Sequence, residues 1–343
     1  MGSKKQKQEA SKEIQENPLE CGDFETKEQQ VEKWLGQFLS SAGLADSVTK
    51  TVTARIGKIK GTSLEIAQIV NDWRSQVVGG IESAILLWEA CCIPSLLHGA
   101  GTWVEMSDQT EQTLNSLQQL FIRLILQVGP GTPLASLLWD LGMLDMGLRI
   151  WLEKLMLVLH ARRLGDETLA RRVYEEQKVN NWPGLVEETE SICRELSIES
   201  VHVTELSSRA YRAQVLKACH LKNEVRLRAQ AEGKIKCERI TTEIYGKKEY
   251  ISRGELPHVR QLFRTRFGMM HFAGNYGKDR RFARTDWLCK CREAREEEAH
   301  LISGNCEVYG EIRKKYDILD DNNLVHFFND VLKRRDELDN EER

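Results

Sequence analysis

Between residues 46 and 164, apolar side chains recur at steps of three and four, and this spacing restricts the fold more than any other feature of the chain. Val48, Val52, Ile56 and Ile59 form one such stripe. Leu114, Leu117, Leu120, Phe121, Leu124 and Ile125 form a second, and Met146, Ile150, Leu152, Leu155, Met156 and Leu159 a third. Residues at these offsets share one face of a 3.6-residue helix. Strand-like alternation is scarce, and only 6 prolines interrupt 343 residues. The pattern predicts a mainly α protein, a helical bundle followed by a helical C-terminal region.

Punctuation divides the pattern into elements. Residues 46–79 read as two helices broken at Gly61-Thr62-Ser63, with Ser63 capping the second. The run IESAILLWEACCIPSLLH, residues 81–98, is apolar nearly all round. It is expected to be buried, Leu87 and Trp88 included, with a kink near Cys92 imposed by Pro94. Further helices are expected over 108–127, over 134–164 with a break near Gly142–Gly147, and over 166–178, 184–196 and 204–232. Pro133 is placed to open the helix that follows it. Residues 233–286 are less regular, and a last helix is expected over 307–336. The polar residues 1–20 read as a disordered lead. ETKEQQVEKWLGQFL reads as a hairpin remnant with a turn at Gly36.

Charge matters here through its distribution. Lys and Arg number 49 and Asp and Glu 52, a net charge of −3. Five acids in residues 336–343 mask a basic stretch in that sum. No apolar run approaches the roughly 18 residues that a membrane span needs. The polar N-terminus lacks an apolar signal core. With 9 cysteines, an odd number for a disulfide framework, reduced thiols and an intracellular location, nucleus or cytoplasm, are expected. Phosphate-binding glycine loops, Gly-x-Ser-x-Gly and His-Glu-x-x-His are missing, so nothing points to a small-molecule substrate.

The chemistry-bearing residues cluster late. Cys289, Cys291, His300 and Cys306 fall within 18 residues. Three thiols and one imidazole are the ligand set of a closed, tetrahedral, structural zinc site. Just upstream, residues 253–284 carry eight Arg or Lys against two acids, interleaved with aromatics. Arg260, Arg264, Arg266, Lys278, Arg280, Arg281 and Arg284 are the candidate phosphate contacts, and Phe263 and Phe272 the candidate stacking platforms. A second basic set, Arg209, Arg212, Lys217, Lys222, Arg226 and Arg228, reads mainly as the wet face of a helix. Asp320-Asp321 reads as a helix start, with Asp321 as cap, rather than a metal site.

The order of these segments resembles the C-terminal half of the polyprotein of a non-LTR (LINE-type) retrotransposon. Glu32-Lys33-Trp34-Leu35-Gly36 is similar to the turn that closes the palm of such reverse transcriptases. Leu87-Trp88-Glu89, the run Ile93 to Ala100 and Thr102-Trp103 resemble the thumb segment, with His98 for the usual Tyr and Gly101 for the usual Glu. Phe121-Ile122-Arg123, Thr132-Pro133, Arg149-Ile150 and Trp182-Pro183-Gly184-Leu185 fit the helical region beyond. Trp287-Leu288-Cys289-x-Cys291, His300 and Cys306 resemble the terminal zinc-knuckle-like motif. The resemblance implies a palm remnant over 21–45, a thumb-like domain over 46–128 and a helical connector over 129–250. It further implies a basic region with the knuckle over 251–310, and a helix with an acidic tail over 311–343. It implies RNA or DNA as partner and no polymerase activity, because the catalytic aspartates of the family are absent from this sequence. The acidic tail is a candidate contact for a protein partner.

Overall fold

The computed structural model describes residues 42–341, apart from 73–77, 130, 181–183, 235–236, 271–287, 297, 305 and 318–319, together with four short strands before residue 41. Strands β1 (Glu20–Cys21) and β2 (Phe24–Glu25) pair, as do β3 (Val31–Trp34) and β4 (Gln37–Ser40), each antiparallel. Trp34 lies opposite Gln37, so the expected hairpin is present. Among the described residues, the regular elements after it are helices, in agreement with a mainly α fold.

Helix α1 (Leu44–Asp72) runs straight through Gly61-Thr62-Ser63. Ser63 does not cap a new helix; its buried hydroxyl donates to the Ile59 carbonyl one turn back. Val52, Ile59, Ile66, Ala67 and Val70 are all buried. Covering that stripe outweighs the roughly 1 kcal/mol that an interior glycine costs. The next helix begins at Gly80 (α2, Gly80–Leu87), widens into a π turn over Trp88–Cys92 and resumes as α3 (Ile93–Leu96). The Ile93 amide bonds back to the Trp88 carbonyl, five residues away. The expected irregularity before Pro94 therefore takes the form of a widened turn.

This element is not buried all round. Trp88 is fully enclosed and stacks on Phe121 at 4.6 Å, but Leu86 is 62% exposed and Leu87 36%. Composition alone made the helix look inaccessible; packing covers only one side. Beyond it, Gly99 (φ 69°) and Gly101 allow close approach. A Cβ at Gly101 would stand 2.9 Å from Leu157 Cβ and 3.0 Å from the Glu153 carbonyl, so the glutamate usual at this place in the family pattern has no room.

Helix α4 (Asp108–Leu126) is capped by Ser107, which accepts from the Thr110 amide at 3.2 Å. Pro133 stands one residue before α5 (Leu134–Trp139), and α6 (Met146–Arg163) follows the expected break, capped by Asp145. Helices α7 (Leu169–Val179), α8 (Leu185–Leu196) and α9 (Ser208–Ala231) pack on the far side of α6. Their buried residues, among them Tyr174, Ile192, Val201, Tyr211 and Cys219, form a second core.

Short helices α10 (Glu238–Thr242) and α11 (Glu249–Arg253) then lead to α12 (Leu256–Arg266). Ile251, Val259, Phe263 and Phe267 join the first core, the one built around Trp88 and Phe121. Packing thus runs across the expected domain boundaries at 128 and 250. A third core joins the metal module to α15 (Asp321–Glu341). Asp320, not Asp321, caps α15: its carboxylate accepts from the Asn322 and Asn323 amides at 2.9 Å. The acidic residues 336–341 continue that helix. Among the described residues, no helix is long and apolar enough to cross a membrane.

Two neighbouring substitutions should separate composition from packing. Trp88→Ala is expected to cost about 3–5 kcal/mol by leaving a cavity, and Leu87→Ala less than about 1 kcal/mol, measured by urea unfolding. Equal losses would mean that both faces of the helix are covered.

Candidate metal centre

The loop bearing the first two ligands is a tight turn. The Cys289 amide donates to the Ala294 carbonyl at 2.8 Å, and the Arg292 amide to the Cys289 carbonyl at 2.7 Å. Arg292, directly after the second ligand, holds φ 65°, a left-handed conformation that favours glycine. His300 lies in the short helix α13 (Glu298–Ile302), and Cys306 precedes α14 (Gly310–Arg313).

The four side chains converge. Cys289 Sγ and Cys306 Sγ are 3.5 Å apart, and Cys291 Sγ and His300 Nε2 3.2 Å. All four ligand atoms lie within 4.8 Å of one another. Metal–sulfur bonds of about 2.3 Å and metal–nitrogen bonds of about 2.0 Å set tetrahedral edges of roughly 3.5–3.8 Å. The cluster therefore has the size of one coordination sphere and can hold a metal ion.

Its electrostatics suit thiolates. Burial pushes the Cys289 and Cys306 thiols up, so without a positive partner they stay protonated. Burial works the same way on Cys291, but amide hydrogen bonds from Glu293 and Ala294 outweigh it and hold that thiol below its ordinary range. Amides of Cys291 and Tyr309 similarly donate to Cys289 and Cys306. A cation seated among these sulfurs would supply the remaining stabilisation.

The surroundings fix the module in place. Arg313 donates to the Leu301 carbonyl at 2.9 Å and to the Cys306 carbonyl at 3.2 Å. Buried Glu296, between the second and third ligands, pairs with Arg335 of α15 at 3.1 Å. Lys290, between the first two ligands, pairs with Asp339 at 2.5 Å. Cys289, Leu301, Cys306 and Tyr309 pack against Leu324, Phe327, Phe328 and Val331. The spacing of residues 286–306 reads as too polar to form a core of its own, and the structure supplies one by docking the described residues from Cys289 to Cys306 on α15.

The basic and aromatic candidates divide. Lys278, Arg280, Arg281, Arg284 and Phe272 lie outside the described residues. Phe263 is fully buried beside Phe267, at 4.9 Å between rings, so it serves the core and offers no face to a base. Arg266 is committed to Asp140, Glu243 and Asp321. Arg260 is buried and donates to the Ile125 carbonyl at 2.8 Å and to Asn71. Arg264 remains half-buried and donates to the Gln127 carbonyl at 2.6 Å. Periodicity could have warned of this, since Leu256, Val259, Phe263 and Phe267 mark the inner face of α12.

The basic helix α9 is largely occupied as well. Arg226 reaches Asp145 at 3.2 Å, Lys222 reaches Glu195 at 3.5 Å, and Arg228 caps the carbonyls of Ile240, Thr241 and Glu243. By contrast, Arg292 stands exposed on the metal loop. It lies beyond the basic stretch as read from sequence, and its place directly after a ligand was the signal available. No protein-family model and no curated protein matches the chain.

Replacing Cys289 by Ser should abolish stoichiometric metal binding and raise hydrogen exchange across 298–331, while residues 44–231 keep their protection. Arg292→Gly should relieve the left-handed strain and stabilise the metal-loaded module by about 1 kcal/mol, read from its unfolding midpoint. Loss of protection throughout the chain in the first variant would show that the module is not a separate unit.

Proposed function

We propose that this chain is a nucleic-acid-binding fragment of a retrotransposon-derived reverse transcriptase, acting without polymerase chemistry through a zinc-knuckle-like module and the basic residues around it. The convergence of Cys289, Cys291, His300 and Cys306 is the observation that carries the reading. Three sulfurs and one imidazole at tetrahedral spacing favour zinc over harder cations, which prefer oxygen. Four protein ligands close the sphere, so the ion's part is structural: it sets the shape of a loop that presents Arg292 and follows directly on the Arg280, Arg281 and Arg284 run. Those guanidinium groups supply phosphate contacts, and Phe272 a stacking face. The buried Trp88 and Trp103, in segments resembling the thumb, support the family reading of the bundle.

A protein-interaction scaffold is the second reading. It is favoured by the exposed apolar side of the α2 helix, where Leu86 and Leu87 face outward, and by the acidic end of α15.

Salt dependence separates the two. Single-stranded RNA should bind the zinc-loaded protein with log K falling linearly against log salt. Changing Arg280, Arg281 and Arg284 together to Ala should lower that slope by about 2, at roughly 0.7 per phosphate contact. Zinc should be found at one per chain by metal analysis. Absence of RNA binding at low salt, or an affinity indifferent to salt, would reject the nucleic-acid reading and leave the scaffold.

A further inference from the structure

A small pocket opens where α12, the end of α4 and α15 meet. Arg260, Arg264 and Gln261 of α12 line it, with Gln127, Pro257 and Met270; Leu332 of α15 closes the far side. Its volume is about 380 Å³, at the lower end of what small-ligand sites occupy. Among the described residues that line it, none is acidic.

The charge on Arg260 is the anomaly. The residue is only 8% exposed, and buried guanidiniums are ordinarily paired with carboxylates. Among the described residues no carboxylate pairs with it. Its hydrogen bonds go to the Ile125 carbonyl and to Asn71 Oδ1, both neutral acceptors. Burial and the neighbouring charge of Arg264 together depress its pKa to about 10, so it stays charged at neutral pH.

Capping the end of α4 explains part of this. Arg260 and Arg264 both donate to carbonyls at that terminus. A helix C-terminus, however, carries only about half a negative charge. The full charge of Arg260 already exceeds it. Capping uses one of the five N–H groups on Arg260 and Asn71 a second.

We propose that this pocket binds a phosphate group, either free inorganic phosphate or one phosphodiester of a polynucleotide strand. Two guanidiniums one helical turn apart match the several oxygens of that anion. The Gln127 and Gln261 amides each donate one N–H to an asparagine, Asn71 and Asn329, and keep a second as a neutral donor. Asn71 and the Ile125 and Gln127 carbonyls hold the two arginines in position. The site lies at the seam between the first core and the metal module, since Met270 and the helix carrying Leu332 belong to the latter. An anion held there would brace the two against each other. The inference does not depend on RNA binding by the Arg280–Arg284 run, because its ligand is a single phosphate group.

Thermal unfolding of the full, metal-loaded chain tests it. Phosphate should raise the midpoint saturably, beyond sodium chloride at equal ionic strength. Gln261→Glu sets a carboxylate beside the guanidiniums while leaving both arginines in place, and should weaken phosphate binding at least tenfold. Gln261→Met alters the same position without charge and should change it less than about twofold. A short single-stranded oligonucleotide that displaces phosphate would assign the site to a strand; one that does not would assign it to the free ion. Phosphate acting no better than chloride, or Gln261→Met losing as much affinity as Gln261→Glu, would overturn the proposal.

Discussion

One guanidinium joins parts of the chain that are otherwise far apart. Arg266 ends α12 with its side chain 7% exposed, and meets Asp140 at 2.7 Å together with Glu243 and Asp321. Asp140 follows α5, Glu243 follows α10, and Asp321 opens α15. Tyr250 donates to the same Asp140 carboxylate at 2.7 Å. Burial works against the Arg266 charge, but Asp140, with Tyr250 and Glu243, more than offsets it and raises the guanidinium's pKa above its ordinary value. Such a network is costly to bury and costlier to break: removing one partner strands the others at about 3–5 kcal/mol. It defines geometry more than it adds stability. The terminal helix starts where Arg266 can reach it, and that start decides where Phe327, Phe328 and Val331 stand.

The metal module is built on that helix. Its ligands come from a turn, a five-residue helix and a loop, none of which has an apolar face large enough to fold alone. Docking on α15 covers Leu301 and Tyr309, and the pairs Glu296–Arg335 and Lys290–Asp339 orient the ligand loop. The acidic end of the chain, conspicuous in sequence as a tail, is here a structural partner of the residues between the ligands. The ligand cluster, the terminal helix and the Arg266 network form a chain of dependence. Each link lies between residues that are separated in sequence.

Much of the bundle was legible beforehand. The stripes over Val48 to Ile59, Leu114 to Ile125 and Met146 to Leu159 reappear as buried faces of α1, α4 and α6, because a 3.6-residue period needs only local geometry to be expressed. The ligand quartet was legible for a related reason: its members are near in sequence and few residue types bind metal in that combination. The failures share a cause. Gly61 to Ser63 looked like a break, residues 81–98 looked buried throughout, and Phe263 and Arg266 looked available for binding. For all but Phe263, whose place on the apolar stripe Leu256, Val259, Phe263 and Phe267 was readable, the deciding partner lies tens of residues away and no local pattern reports it.

The sequence by itself determined the helical class, the approximate extents of the long helices and the identity of the four converging ligands. Those depend on side-chain period and on donor chemistry, which are written residue by residue. Tertiary structure alone decided which arginines are spent inside the protein and which face of each helix is covered. It also placed Arg260 in a pocket where, among the described residues, no carboxylate pairs with it. The physical reason is that burial and ion pairing are properties of neighbours in space. A guanidinium reads the same in sequence whether it faces water, three carboxylates or backbone carbonyls, and its energy differs in all three.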